Sequence, residues 1–180
     1  MALEASQPWY CAAPATRVLP HVPPLRLPST HGEIALRAFC SERAVLYVYP
    51  ATGVPGRDPA IDPAPGWDDI PGAAGCTRQC RGFKAAFETF LERGIRVAGV
   101  SGQSLREQAD FAQREELPFP LICDREFALQ QAWELPVFSA GGRMFLRRMV
   151  LFVAANQIER VLYPVTDPGE SAQAMLALLD

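Results

Sequence analysis

Two cysteines four residues apart carry the most reactive chemistry in the chain, within Gly75-Cys76-Thr77-Arg78-Gln79-Cys80. The helical spacing that follows them puts Cys76 at a helix N-terminus, where unpaired backbone N–H groups favour an anion. Thiols in such places form thiolate readily, their pKa falling from about 8.5 into the range ~3.5–7.5. Arg78 and Arg81 add positive charge nearby. The thiolate is the nucleophilic form, so the pattern points to redox or nucleophilic sulfur. Residues i and i+4 share a helix face, but their Cβ atoms stand about 5–6 Å apart, against about 3.8 Å in a disulfide. A Cys76–Cys80 bond therefore requires the first turn to unwind. Gly82, which costs about 1 kcal/mol against Ala in a helix, reads as a helix-weakening residue that permits this. The plain alternative is two small apolar side chains packed on one helix face.

The elements around the pair follow from hydrophobic periodicity. Ala44–Tyr49 (AVLYVY) is apolar, β-branched and aromatic, a buried strand stopped by Pro50. Phe83, Ala86, Phe87, Phe90 and Leu91 recur at helical spacing, so a helix runs from Thr77 to Glu92 and closes at Arg93-Gly94. Ile95–Val100 is the next buried strand. Ser104 and Glu107 form a capping-box pattern opening a helix to about Leu117. A strand at Leu121–Cys123, a helix at Arg125–Trp133, strands at Met144–Val153 and Gln157–Tyr163, and a helix at Ser171–Leu179 complete the order. Short strands at Leu25–Leu27 and Glu33–Phe39 precede it. Alternation first and antiparallel pairing later predict an α/β fold, a mixed sheet with helices on its faces.

The 180 residues suit one ordinary domain, here residues 25–180, preceded by an extended arm over residues 1–24. Seventeen Lys+Arg against twenty Asp+Glu give a formal charge of −3, without the basic stripe of a nucleic-acid binder. No apolar run reaches membrane-spanning length; the cleanest, Met149–Ala155, is strand-sized. The N-terminus lacks the pattern of a signal peptide. Five cysteines, an odd number, then point to a reducing compartment, the cytoplasm. Cys11 lies in the arm, and Cys40 and Cys123 read as core or loop thiols. Of 17 prolines, six fall between Pro8 and Pro28 and six between Pro50 and Pro71. Proline at that density excludes helix interior and central strand. The second cluster makes Ala51–Gly75 a long loop ending at Cys76, and loops of that length are commonly functional.

Several segments, in order, resemble the peroxiredoxins, specifically the bacterioferritin-comigratory or Q-type branch of the thioredoxin fold. Val45-Leu-Tyr-Val-Tyr-Pro50 is similar to the strand ending at that family's active-site proline. Pro71-Gly72 and Gly75-Cys76-Thr77 are similar to its Pro-Gly-Cys-Thr element. Val97–Ser101, Leu117-Pro-Phe-Pro-Leu-Ile-Cys-Asp124 and Arg148 with its apolar strand match further segments. The resemblance implies a thioredoxin-like fold with an N-terminal strand extension and a thiol peroxidase needing no cofactor or metal. Cys76 would attack a peroxide, Cys80 would resolve the sulfenic acid as a disulfide, and a thioredoxin-like dithiol would reset the pair. Arg148 would hold thiolate and peroxide. Arg147 is the alternative, since neighbours on a strand face opposite ways. The family's hydroxyl three residues before the cysteine is replaced by Ala73. Pro50 matches the motif's proline, and Thr52 is the candidate replacement hydroxyl. The branch usually spaces its helix cysteines five apart rather than four. Trp67-Asp68-Asp69 has no counterpart in short-loop members, and Trp67 is expected to anchor the loop.

Three rival readings stand beside this one. A disulfide reductase wants Cys-x-x-Cys and a proline before the facing strand, which Phe145–Arg148 does not supply. A copper-delivery protein would use Cys-x-x-x-Cys with a downstream histidine, but the histidines are His21 and His31. A catalytically silent binding module would leave Cys76 without a task.

Overall fold

The structure, a computed structural model, describes residues 8–11 and 19–180. After an extended stretch from Leu19, β1 (Arg26–Ser29) and β2 (Gly32–Ala35) form a hairpin. The strand expected over Glu33–Phe39 ends at Ala35 and becomes one helical turn, α1 (Leu36–Phe39). That turn places Leu36 and Cys40, four apart, both in the core at 0% exposure. Next come β3 (Arg43–Val48), the long loop, α2 (Cys76–Ala85), α3 (Phe87–Glu92), β4 (Arg96–Ser101), α4 (Leu105–Arg114) and β5 (Leu121–Cys123). The helix expected from Thr77 to Glu92 is thus two, divided at Ala86. Phe83, Ala86 and Phe90 stay buried across the break, so the apolar period runs through it unaltered. At α4 the capping box forms as expected: Ser104 Oγ accepts from the Glu107 N–H, and the Glu107 carboxylate accepts from the Ser104 N–H. α5 (Ala128–Trp133) starts three residues later than expected. The buried Asp124 carboxylate accepts there from the N–H groups of Leu129 and Gln130, both at 2.9 Å.

The single strand expected over Met144–Val153 is interrupted at Arg147-Arg148. Before the break lies β7 (Arg143–Leu146), which pairs with β6 (Val137–Ala140) in a separate two-stranded sheet. After it lies β8 (Met149–Ala154), inside the main sheet, followed by β9 (Gln157–Leu162) and α6 (Ser171–Leu178). β6 was not anticipated. The main sheet runs β2-β1-β5-β4-β3-β8-β9, with β3, β4 and β5 parallel and the outer pairings antiparallel. This is a thioredoxin-like arrangement with an added N-terminal hairpin.

Alternation along β3 divides the core in two. Val45, Tyr47 and Tyr49 face Cys76, Cys80 and Phe83 of α2, Phe90, Phe111 and the α6 residues Met175 and Leu176. Ala44, Leu46 and Val48 face Leu36, Leu129 and Trp133 on the other side. Both faces of β3 are covered, which is why its sequence is continuously apolar. A third, smaller cluster lies outside the sheet: Ala51, Ala64, Trp67 and Ala73 from the long loop meet Phe138 and Phe145 from the β6–β7 hairpin. The described parts of residues 1–24 dock on the domain. Val22 is buried, His21 bridges Gln157, and Trp9 Nε1 donates to the Trp133 carbonyl at 2.6 Å. Among the described residues no helix is long and apolar enough to cross a membrane.

Candidate active site

Helix α2 opens directly on Cys76, with Gly75 as its N-cap at φ +102°, a left-handed conformation that favours glycine. Space enforces the same choice, because a Cβ at Gly75 would lie 2.8 Å from Pro168 Cγ. Gly82 has a related reason. A Cβ there would stand 2.3 Å from the Gly169 carbonyl oxygen, so the glycine lets α2 press against the segment leading into α6. This close approach is a second reason for the glycine, beside its expected part as a helix weakener.

Cys76 is 4% exposed, and its Sγ–H points to the Ala73 carbonyl at 3.5 Å. Arg148 reaches it from the β7–β8 break. Nη2 donates to Cys76 Sγ at 3.2 Å and to the carbonyls of Ala73 and Ala74 at 3.0 Å each. Nη1 donates to Gln79 Oε1 at 2.5 Å. Arg147 faces the other way, its guanidinium 5.3 Å from the Phe138 ring centre. Strand alternation left the two arginines open, and the structure brings Arg148 to the sulfur. Ala73, where the resemblance wants a hydroxyl, supplies its carbonyl instead.

Gln79 is a residue the sequence reading missed. It is fully buried on the Cys76 side of α2, and a polar residue three positions after a reactive cysteine was the available signal. Gln79 Nε2 and Arg148 Nε are buried without a partner among the described residues. Both are N–H donors, and both belong to the hydrogen-bonded pair beside Cys76.

Cys80 lies in the apolar core at 1% exposure, 3.0 Å from the Tyr47 hydroxyl. Burial pushes its thiol up to about 12, with the Tyr47 hydrogen bond acting in the opposite direction. Cys40, on the far side of the sheet, is likewise pushed up to about 12 by burial. Cys123 donates to the Gln103 carbonyl at 3.3 Å.

Thr52 and Cys76 line one open depression of about 250 Å³, with Asp62, Trp67, Thr77 and Arg78 on its walls. The Thr52 hydroxyl is engaged, donating to Gln103 Oε1 at 3.2 Å, and the same oxygen accepts the Thr52 N–H at 2.8 Å. Gln103 Nε2 returns a bond to the Thr52 carbonyl. Pro50 is buried beneath, its carbonyl accepting from Ser101 Oγ at 3.1 Å, and it does not line the depression. Gln108 joins this network by accepting from the Tyr49 hydroxyl and donating to the Gln103 carbonyl, both at 3.0 Å. Trp67, 8% exposed, sits 4.9 Å from the Phe145 ring and 5.7 Å from that of Phe138, so it anchors the loop to the hairpin. Among the described residues no three His, Cys, Asp or Glu side chains converge as a metal site would need.

This chain is 30% identical over 115 residues to peroxiredoxin Q, chloroplastic, of Sedum lineare, covering 63% of this chain and 52% of that protein. It is 29% identical over 103 residues to the Triticum aestivum protein of the same name, covering 57% and 39%. The chain thus spans about half the length, or less, of these curated relatives. Among solved structures, the fold is shared with peroxidoxin BcpB from Mycobacterium tuberculosis, with a TM-score of 0.70 and 21% identity over 91% of this chain and 96% of that one. It is also shared with Xanthomonas campestris peroxiredoxin Q, with a TM-score of 0.70 and 24% identity over 93% and 97%. The pattern of the AhpC/TSA family matches residues 71–160, half of the chain and the part that carries Cys76, Cys80 and Arg148; the chain belongs to the AhpC/TSA family.

Proposed function

We propose that the chain is a thiol peroxidase of the Q-type peroxiredoxin kind, reducing hydrogen peroxide or organic hydroperoxides. One observation carries the reading: an arginine fork set 3.2 Å from a cysteine sulfur at the first residue of a helix. Cys76 attacks a peroxide oxygen as thiolate. The O–O bond breaks, the departing oxygen takes a proton and leaves as water or alcohol, and the sulfur becomes a sulfenic acid. Arg148 neutralises the thiolate and holds the oxygens as charge moves onto them, a task suited to a permanently charged fork. Gln79 positions Arg148. Thr52 borders the entry, and Pro50 shapes the backbone beneath it. Cys80 condenses with the sulfenic acid to an intramolecular disulfide, which a thioredoxin-like dithiol reduces. The odd number of cysteines fits a reducing compartment, the cytoplasm.

Stoichiometric hydrogen peroxide added to the reduced protein tests this through the rate of thiol loss. Wild type oxidises rapidly to a disulfide, Cys76→Ser does not, and Cys80→Ser accumulates sulfenic acid or over-oxidised product. Wild-type oxidation at the rate of an ordinary thiol would exclude the reading.

A further inference from the structure

The resolving half of the reaction leaves one group unexplained, the Tyr47 hydroxyl. It is fully buried, and its position is over-determined. The ring stacks on Phe83 with centroids 4.4 Å apart and planes 10° from parallel, and the hydroxyl ends 3.0 Å from Cys80 Sγ. Phe83 belongs to α2, three residues beyond Cys80, and the same stretch is pinned through Gly82 against the Gly169 carbonyl. The first turn has no aromatic stack of this kind: Cys76 reaches the edge of the same core at 4% exposure. Its N-cap, Gly75, provides no side-chain cap, and polar contacts to Arg148 hold Cys76 and Gln79.

Resting on the peroxidase reading above, we propose that Tyr47 is the positioning residue of resolution. Its hydroxyl keeps the Cys80 sulfur in place and donates to it when that sulfur becomes an anion, while the first turn of α2 unwinds to bring Cys76 inward. In the thiol form either group can donate. Once the thiolate forms, only the hydroxyl can. The Cys80 thiolate then attacks the Cys76 sulfenic sulfur, an S–S bond forms and the S–O bond breaks. The hydroxide that departs takes up the proton Cys80 lost and leaves as water. The Cys80 sulfur is oxidised and the sulfenic sulfur reduced, so no outside oxidant enters. Other groups bear on Cys80: Cys76 and Arg81 on its own helix, Tyr49 beside Tyr47, and Glu115, which accepts two bonds from Arg81 at 2.7 and 3.0 Å. Arg81 and Glu115 act on Cys80 in opposite directions, and Tyr47 is the donor in contact with the sulfur.

The test uses Tyr47→Phe, which keeps the ring on Phe83 and removes the hydroxyl alone. Rapid mixing with hydrogen peroxide followed by acid quench and mass spectrometry separates loss of the Cys76 thiol from disulfide formation. The expected result is disulfide formation slowed about 10- to 100-fold near neutral pH, the range for one hydrogen bond to a charged group. Its rising pH limb shifts upward, and over-oxidised Cys76 accumulates at peroxide levels the wild type survives. Resolution in Tyr47→Phe that matches or exceeds the wild-type rate overturns the proposal. So does equal slowing of both steps at every pH, which marks a packing defect. Rapid loss of the wild-type Cys76 thiol with no Cys76–Cys80 disulfide overturns this proposal alone, whereas wild-type Cys76 oxidation at the rate of an ordinary thiol overturns the peroxidase reading beneath it, so the two failures are distinguishable.

Discussion

Replacing Arg148 by methionine removes the guanidinium and keeps an unbranched side chain. In the folded protein Arg148 is 3% exposed and its Nη2 lies 3.2 Å from Cys76 Sγ. At an effective dielectric constant of about 20, opposite unit charges at that separation attract by about 5 kcal/mol. Attraction that acts equally before reaction does not lower the barrier, so the barrier carries a smaller share. Removing one preorganised donor from a developing anion costs about 2.7–4 kcal/mol, or about 10²–10³ in rate. The second-order rate constant for Cys76 oxidation is therefore expected to fall by that factor, measured by stopped-flow under excess hydrogen peroxide. Arg148→Lys keeps the charge but cannot serve Gln79, the two loop carbonyls and the sulfur together, and is expected between the two. The carbonyls of Ala73 and Ala74 and Gln79 Oε1 lose donors, at about 1–3 kcal/mol each, partly offset by relief of a buried charge. A lowered melting temperature should accompany the rate loss, and the kinetics belong well below it. A folded Arg148→Met protein reacting within about threefold of wild type would reduce the arginine to a loop tie with no part in Cys76 oxidation.

Stability should fall in alkali. Cys40 and Cys80 are both raised from 9.0 to about 12 in the folded state. Below pH ~9 both states keep these protons and the contribution is whole, whereas between pH ~9 and 12 the unfolded chain releases protons that the folded one retains. Urea denaturation at pH 10 against pH 7.5 should show a loss of about 1.4 kcal/mol per thiol, with Cys40→Ala removing one share; a flat profile to pH 10 contradicts it. Gly82→Ala gains about 1 kcal/mol of helix propensity but drives a methyl to 2.3 Å from a backbone oxygen, so the overpacking term of about 1–3 kcal/mol or more wins. Calorimetry should register a lower melting temperature, and a higher one would show that α2 shifts freely. Trp67→Ala should raise hydrogen exchange in residues 51–75 and 137–146 while leaving β3 and β4 protected, and uniform exchange increases would mean the third cluster is not separate.

Legibility in the sequence followed how local each determinant is. The period-2 and period-3.6 patterns located the main strands and α4, because burial of one face writes itself into neighbouring residues. Cys76 at the head of α2 was legible for the same reason, as strand, loop and helix start lie in sequence order. Breaks that keep the burial pattern were invisible: Ala86 is buried whether α2 and α3 are one helix or two, and Arg147-Arg148 interrupts a run whose sides are both apolar. The steric reason for Gly82 was invisible because the Gly169 carbonyl it meets lies 87 residues away. Thr52 was chosen as a hydroxyl near Cys76 and does border the same depression. That Gln103 would occupy it depends on a long-range contact no local pattern records.

The cluster of Trp67 with Phe138 and Phe145 has a consequence for anyone recombining such proteins. The long loop brings its own apolar residues but little to bury them against, and the β6–β7 hairpin provides the other half. Loop and hairpin are therefore a matched cassette. Grafted alone onto a short-loop scaffold, the loop would carry an uncovered tryptophan beside the reactive sulfur. The hairpin alone would expose two phenylalanines. Only moved together would they form a closed lining, and since both lie outside the main sheet, that exchange leaves the strand carrying Tyr47 and the helix carrying both cysteines untouched.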